Sequence, residues 1–211
     1  EKDLKKYFRL KNSNELNFVT KLNEKDKFDY IIICVGTPLN QNKDINNSIL
    51  FKSINQIKKN LHKNSLLIVR SSVKVGTMEL IKKKFFKKNY CFFAYCPERT
   101  IEGNAVKEIM KLPQLIGTED KVSKLKANLF FSKLTNKIIN FSTYKEPEFV
   151  KLMDNYHRDT KFAFANEISI ICDKLGINAK NLIQKANYEF KRNDIPLPGP
   201  VGGPCLSKDP Y

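Results

Sequence analysis

Apolar residues follow two rhythms along this chain. In the first, short unbroken runs end abruptly in polar turns. Asp29-Tyr-Ile-Ile-Ile-Cys-Val35 closes on Gly36-Thr37-Pro38, Ser65 to Val69 closes on Arg70-Ser71-Ser72, and Tyr90 to Tyr95 closes on Cys96-Pro97-Glu98-Arg99. Runs of this length without polar alternation predict strands buried on both faces. Pro113 to Ile116 and Lys137 to Phe141 predict two more. In the second rhythm, apolar residues recur every three or four positions. Ile49, Ile54, Ile57 and Leu61 predict a helix capped by Asn46 or Asn47. Met78, Ile81 and Phe85 mark the inner face of a helix over 76–88, and Glu119 to Leu134 is a third.

Strands alternating with helices predict a parallel sheet of the α/β class. In such sheets ligands bind beyond the carboxyl ends of the strands, where all three polar turns fall. The alternation stops near Thr143. Glu146 to Leu175 predicts one long helix, with Pro147 in its first turn and Gly176 at its end. A second helix follows over Ala179 to Phe190, and Asp194 to Tyr211 is a loop rich in proline and glycine.

Composition narrows the classes. A chain of 211 residues, 41% hydrophobic and 11% aromatic, is long enough for a sizeable core and unlike a disordered tail. No apolar run approaches the roughly 20 residues of a membrane helix. Without a signal-peptide pattern, the expected location is cytoplasmic, with no membrane partner. The formal net charge of +16 invites a nucleic-acid reading. Its detail weighs against one. Arginine, the usual reader of bases and phosphates, occurs only at Arg9, Arg70, Arg99, Arg158 and Arg192, against 33 lysines. The lysines are scattered apart from Lys82-Lys83-Lys84 and Lys87-Lys88. Such a background attracts anions in general.

The five cysteines have neither disulfide nor zinc spacing. Cys34 and Cys172 lie in apolar runs and read as small core residues, and Cys91 and Cys96 lack a companion pair. His62 and His157 have no neighbours spaced for a metal or a triad. No metal site is expected. Cys205 differs, because Gly202-Gly203-Pro204 precedes it and Lys208 and Asp209 follow. A thiol in a glycine-rich loop beside a cation is a candidate nucleophile; a structural turn with an incidental cysteine fits the spacing equally. Glu148, Lys151 and Asn155 share a helix face, suited either to holding an oxyanion or to simple solvation. Glu98 and Glu102 follow a strand four residues apart, as acid/base carboxylates or as a solvent-facing loop.

Together these segments resemble the UDP-glucose/GDP-mannose dehydrogenase family. The matching pieces run in order: Val35-Gly36-Thr37-Pro38, Ser71-Ser72-Val73 with Gly76-Thr77, Pro97-Glu98-Arg99, Glu148-x-x-Lys151-Leu152-x-x-Asn155, Asn166-Glu167, and Pro198 to Asp209 around Cys205. The resemblance implies an NAD-dependent oxidation of the C6 alcohol of a nucleotide sugar to the uronic acid, for polysaccharide precursors. It implies Cys205 as the nucleophile, Lys151 and Asn155 as the oxyanion pair, and Asp209, Glu102 and Ser72 as the groups handling water and protons. It further implies NAD contacts from Gly36, Thr37, Pro38, Ser71, Ser72, Glu98 and Lys208, and a homodimer through the helix 146–175.

The fold expected on this basis is a partial Rossmann-type parallel sheet over 1–142, a central helical dimerisation-type domain over 143–193 and a catalytic cysteine loop over 194–211. The family's Gly-x-Gly-x-x-Gly turn has no counterpart in these 211 residues. A nucleotide-sugar domain after the cysteine loop is likewise missing, so the expectation is an internal fragment inactive on its own. The alternatives are a dimerising scaffold that has lost catalysis, or a basic nucleic-acid-binding module. Pro97-Glu98-Arg99 resembles the N-acetylhexosamine branch, which points to a UDP-N-acetylmannosamine or UDP-N-acetylglucosamine substrate; Pro204 stands where that branch commonly carries histidine.

Overall fold

The computed structural model of the protein describes residues 17–86, 90–203, 206, 208 and 209. The chain divides into two compact units, 1–40 with 45–151 and 41–44 with 152–211.

The first unit carries a five-stranded sheet in the order β1 (Tyr30–Ile33), β2 (Leu66–Val69), β3 (Phe92–Tyr95), β4 (Gln114–Gly117) and β5 (Ile138–Phe141). The helices α1 (Ser48–Ile57), extended by a 3-10 turn over Lys58–Asn60, and α2 (Thr77–Phe85) connect the first three strands. Short α3 (Ala105–Lys111) precedes β4, and α4 (Lys121–Phe131) links β4 to β5. β2 shows why unbroken apolar runs mark these strands. Leu67 and Val69 pack into a core with Leu50, Ile54, Met78 and Ile81 of α1 and α2. Leu66 and Ile68 face the opposite core, with Ala127 and Phe131 of α4.

The sheet is mostly parallel and departs from the expected pattern at one junction. β1, β2 and β3 run parallel, β4 pairs antiparallel with β3 through Tyr95 and Gly117, and β5 is parallel to β4. A parallel return needs a crossover packed on the sheet. The only helix between β3 and β4 is α3, which buries no residue, so the chain turns back instead. α3 is not among the elements expected from sequence, since at 7 residues its apolar positions Val106, Ile109 and Met110 are too few to establish a helical period.

Helix α5 (Lys145–Leu175) is continuous over 31 residues and ends where Gly176 adopts φ +66°. In the second unit its later turns bury Ala165 and Cys172, and α6 (Ala179–Asn187) buries Ala179 and Ile183. Asn178 caps α6, its side chain accepting from the Asn181 N–H at 2.9 Å. Cys34 is exposed at the end of β1 rather than in the core, because the strand stops at Ile33 and the next residues begin the turn. No helix among the described residues is long and apolar enough to cross a membrane. The lysine patch is partly committed: Lys82 pairs with Glu119 at 2.6 Å and lies over the Tyr144 ring, and Lys84 lies over Phe51. Lys87 and Lys88 lie outside the described residues.

Candidate active site

In the first unit the loops after β1, β2 and β3 are tied into one polar mouth. The Thr37 hydroxyl donates to the Ser72 carbonyl at 2.5 Å, and the Ser71 hydroxyl donates to the Val35 carbonyl at 2.6 Å. The Tyr95 hydroxyl donates to the Ser71 carbonyl at 3.2 Å. The hydroxyl protons of Thr37 and Ser71 are therefore committed to protein, which leaves these oxygens to a ligand chiefly as acceptors. Gly36 and Pro38 are exposed and Ser72 is partly exposed. The mouth thus opens to solvent at the carboxyl ends of three parallel strands, where a dinucleotide fits this class of sheet. A cavity of about 710 Å³ between Val19–Glu24 and the end of α1 lies elsewhere. Asn60, in its lining, bonds Phe28 ahead of β1, so it sits at the amino ends of the strands.

The strongest electrostatic feature of the mouth is one that the motifs did not single out. Arg70 is only 8% exposed. One guanidinium nitrogen donates to Gln114 Oε1 at 2.9 Å, the other is paired with Glu98, and the group lies over the Phe131 ring. The other Glu98 oxygen accepts from the N–H groups of Arg99 at 2.8 Å and Thr100 at 2.9 Å. Burial raises the Glu98 carboxyl, but Arg70 and the Thr100 bonds outweigh it and hold the group below its usual value. Glu98 is thus an ionised loop organiser, already engaged before any ligand arrives. Glu102 stands apart from it in an exposed turn ahead of α3.

Glu148 lies on the helix face that the spacing gives it with Lys151 and Asn155, but it is not solvated. It is fully buried, and its carboxyl accepts from the N–H groups of Gly76 at 2.6 Å and Met78 at 2.9 Å. Gly76 holds φ +90° at the start of α2 and has no side chain to cap the helix, so Glu148 supplies the acceptor from 72 residues away. Burial pushes its carboxyl up to about 7, against the opposing pull of those two bonds. With the folded value above the unfolded one, the folded protein binds this proton more tightly. Its stabilising contribution is complete at low pH and is lost as pH rises toward and through 7. Glu148→Gln is therefore expected to be less stable than wild type near pH 4.5 and to close that gap by pH 8, as measured by urea unfolding across pH.

In the second unit α5 presents Asn155, 5% exposed, whose amide donates to Asp209 Oδ2 at 2.6 Å. Lys208 Nζ is 3.0 Å from Asp209 Oδ1. This brings together three of the residues read from sequence. Lys151, in the first unit, precedes Asn155 by one turn of the same helix and is half-buried. Cys205 lies outside the described residues. Three of the described cysteines are poorly placed as nucleophiles: burial pushes the Cys91 thiol up to about 12 and raises that of Cys96 further, and desolvation raises Cys34. Among the described residues no group of His, Cys, Asp and Glu could hold a metal ion.

A Rossmann-like sheet with a polar mouth at its carboxyl ends is the architecture of a nucleotide-binding domain, and sequence comparison names its class. Residues 1–135 match the NAD binding domain, and residues 145–211 the central domain, of the UDP-glucose/GDP-mannose dehydrogenase family, to which the chain belongs. It is 37% identical over 204 residues to a UDP-N-acetyl-D-mannosamine dehydrogenase of Methanocaldococcus jannaschii, covering 95% of this chain and 47% of that one. It is 30% identical to a UDP-N-acetyl-D-glucosamine 6-dehydrogenase of Pseudomonas aeruginosa, covering 96% and 50%. The solved UDP-D-ManNAc dehydrogenase of Pyrococcus horikoshii superposes with a TM-score of 0.81 at 30% identity, over 88% of this chain and 46% of that one. The UDP-N-acetyl-mannosamine dehydrogenase of Staphylococcus aureus gives 0.80 at 30%, over 94% and 50%. The chain spans about half the length of the curated relatives it matches.

Proposed function

We propose that the protein serves the NAD-dependent oxidation of the C6 alcohol of a UDP-N-acetylhexosamine, of the mannosamine or glucosamine type, to the uronic acid. The observation that carries this reading is the buried Asn155–Asp209 hydrogen bond beside Lys208, built from the same motif residues that match the family. Relatives named for both UDP-N-acetylmannosamine and UDP-N-acetylglucosamine support the sugar class.

Of the residues assigned to NAD, Gly36, Thr37, Pro38, Ser71, Ser72 and Glu98 belong to the first unit and Lys208 to the second; NAD would supply the hydride acceptor in each of two oxidations. The chain's own residues do the rest. The Cys205 thiolate adds to the C6 aldehyde, forming a C–S bond and an oxyanion that Lys151 and Asn155 stabilise. Oxidation of this adduct gives a thioester. Water then attacks the thioester carbonyl, a carboxylate takes its proton and the Cys205 sulfur leaves; Asp209, Glu102 and Ser72 are the residues that the family motifs assign to the water and the proton. Capture by the thiol keeps the reactive aldehyde from escaping between the two oxidations. The test is an assay of the protein at its natural length, purified from its own source. Two NADH per uronate with a UDP-N-acetylhexosamine supports the reading. No turnover with either sugar, or turnover only with UDP-glucose or GDP-mannose, overturns the sugar assignment.

The same reading assigns a homodimer to the helix 146–175. Phe149, Met153, Tyr156, Phe164 and Ile171 recur at helical spacing on α5 and are all exposed. A charge in that stripe is expected to break association. Tyr156→Glu combined with Met153→Glu shifts the protein from dimer to monomer in sedimentation, and an unchanged mass contradicts the assignment.

A further inference from the structure

Two asparagine side chains in the second unit each grip one residue of the loop that leads to Cys205. The Gly199 N–H donates to Asn166 Oδ1 at 2.8 Å, and Asn166 Nδ2 donates back to the Gly199 carbonyl at 3.1 Å. Four residues earlier, the Ile195 N–H donates to Asn187 Oδ1 at 3.2 Å, and Asn187 Nδ2 donates to the Ile195 carbonyl at 2.8 Å. Lys161 is paired with Asp194 just ahead of them. A carboxamide offers one acceptor and one donor in a plane, so each clamp reproduces the two bonds a neighbouring strand would make. No other natural side chain of this length offers both at neutral pH.

The placement of Asn166 makes this more than local tidying. Asn155 and Asn166 are eleven residues apart on α5, three turns, and so lie on the same side of the helix about 16 Å apart along its axis. Asn155 bonds Asp209 and Asn166 bonds Gly199. The chain from Gly199 to Asp209 therefore has both ends fastened to one helix face, with Cys205 between them in sequence. Gly199 itself is exposed, and the space where a Cβ would stand is open.

We propose that Asn166, supported by Asn187, is a positioning residue for the Cys205 loop, fastening its leading end as Asn155 fastens its trailing end. The proposal rests on the reading of Cys205 as nucleophile for its consequence, though not for the clamp. In the full chain, two readouts separate these: amide hydrogen exchange at Gly199, and the pH dependence of Cys205 alkylation by iodoacetamide, followed by peptide mass. Asn166→Ala is expected to speed Gly199 exchange by about tenfold, in line with losing a net hydrogen bond, and to move the alkylation midpoint toward the free-thiol value near 8.5. Asn166→Asp keeps the acceptor, loses the donor at neutral pH and falls between. Asn187→Ala speeds exchange at Ile195. Wild-type exchange at Gly199 in both Asn166 variants overturns the clamp. With a wild-type midpoint below the free-thiol value, a freed Gly199 that leaves the midpoint unmoved overturns the positioning role. A wild-type midpoint already near 8.5 counts against the nucleophile, while Gly199 exchange still decides the clamp.

Discussion

Replacing Cys205 by serine is expected to lower uronate formation by roughly a thousandfold or more in the protein at its natural length. The reason is chemical. A thiol ionises near 8.5, within reach of neutral pH if Lys151 favours the thiolate as proposed, whereas a serine hydroxyl stays protonated without a dedicated base. The first oxidation, alcohol to aldehyde, involves no bond to residue 205. Cys205→Ser should therefore still consume one NAD per sugar and release aldehyde, while the second oxidation fails. A trapping reagent for aldehydes, added during turnover, distinguishes the variant from wild type, which should yield none. Two NADH per sugar from the variant would remove the thiol from the account.

Glu98→Ala is expected to destabilise the first unit by about 2–3 kcal/mol, because it leaves a buried guanidinium without its counter-charge, a cost reduced by the water that reaches this half-exposed position. Arg70 keeps only Gln114 and the Phe131 ring after that change. The reverse truncation is milder. Arg70→Met preserves volume, and Glu98, whose side chain is 41% exposed, retains water and the Arg99 and Thr100 N–H groups. Its cost should be about 1 kcal/mol. Combining the two changes should recover part of the Glu98→Ala loss, since the stranded charge is gone. Urea unfolding of the three variants checks the order, and equal losses for the two single changes would contradict it.

Much of the scaffold could be read from the chain because burial on two faces leaves unbroken apolar runs. Leu66–Val69 and Phe92–Tyr95 are strands for that reason, whereas Tyr30–Ile33, expected to be buried on both faces, forms its strand with Ile32 39% exposed; the long α5 announces itself by its length. Direction leaves no such trace. A strand's residues are the same whether it runs up or down, so the antiparallel β4 awaited the structure. Motif spacing located Asn155, Lys208 and Asp209, which do meet. The same spacing put Glu148 on its helix face but could not show its partner, the start of a helix 72 residues earlier. The pairing of Arg70 with Glu98 and Gln114 was similarly opaque: these bonds span 28 and 44 residues, so no spacing along the chain connects them. Asn166 stood in a matched motif without a role until its two bonds to Gly199 were seen.

The central claim is covalent capture at Cys205, and it has a direct test. The protein at its natural length is mixed with UDP-N-acetylmannosamine and NAD, quenched in acid during turnover and digested, and the Cys205 peptide is weighed. The account predicts a thioester-linked nucleotide-sugar adduct on that peptide, removed by hydroxylamine and missing in Cys205→Ser. Uronate formation with no adduct on Cys205, or with an adduct on another residue, would contradict it.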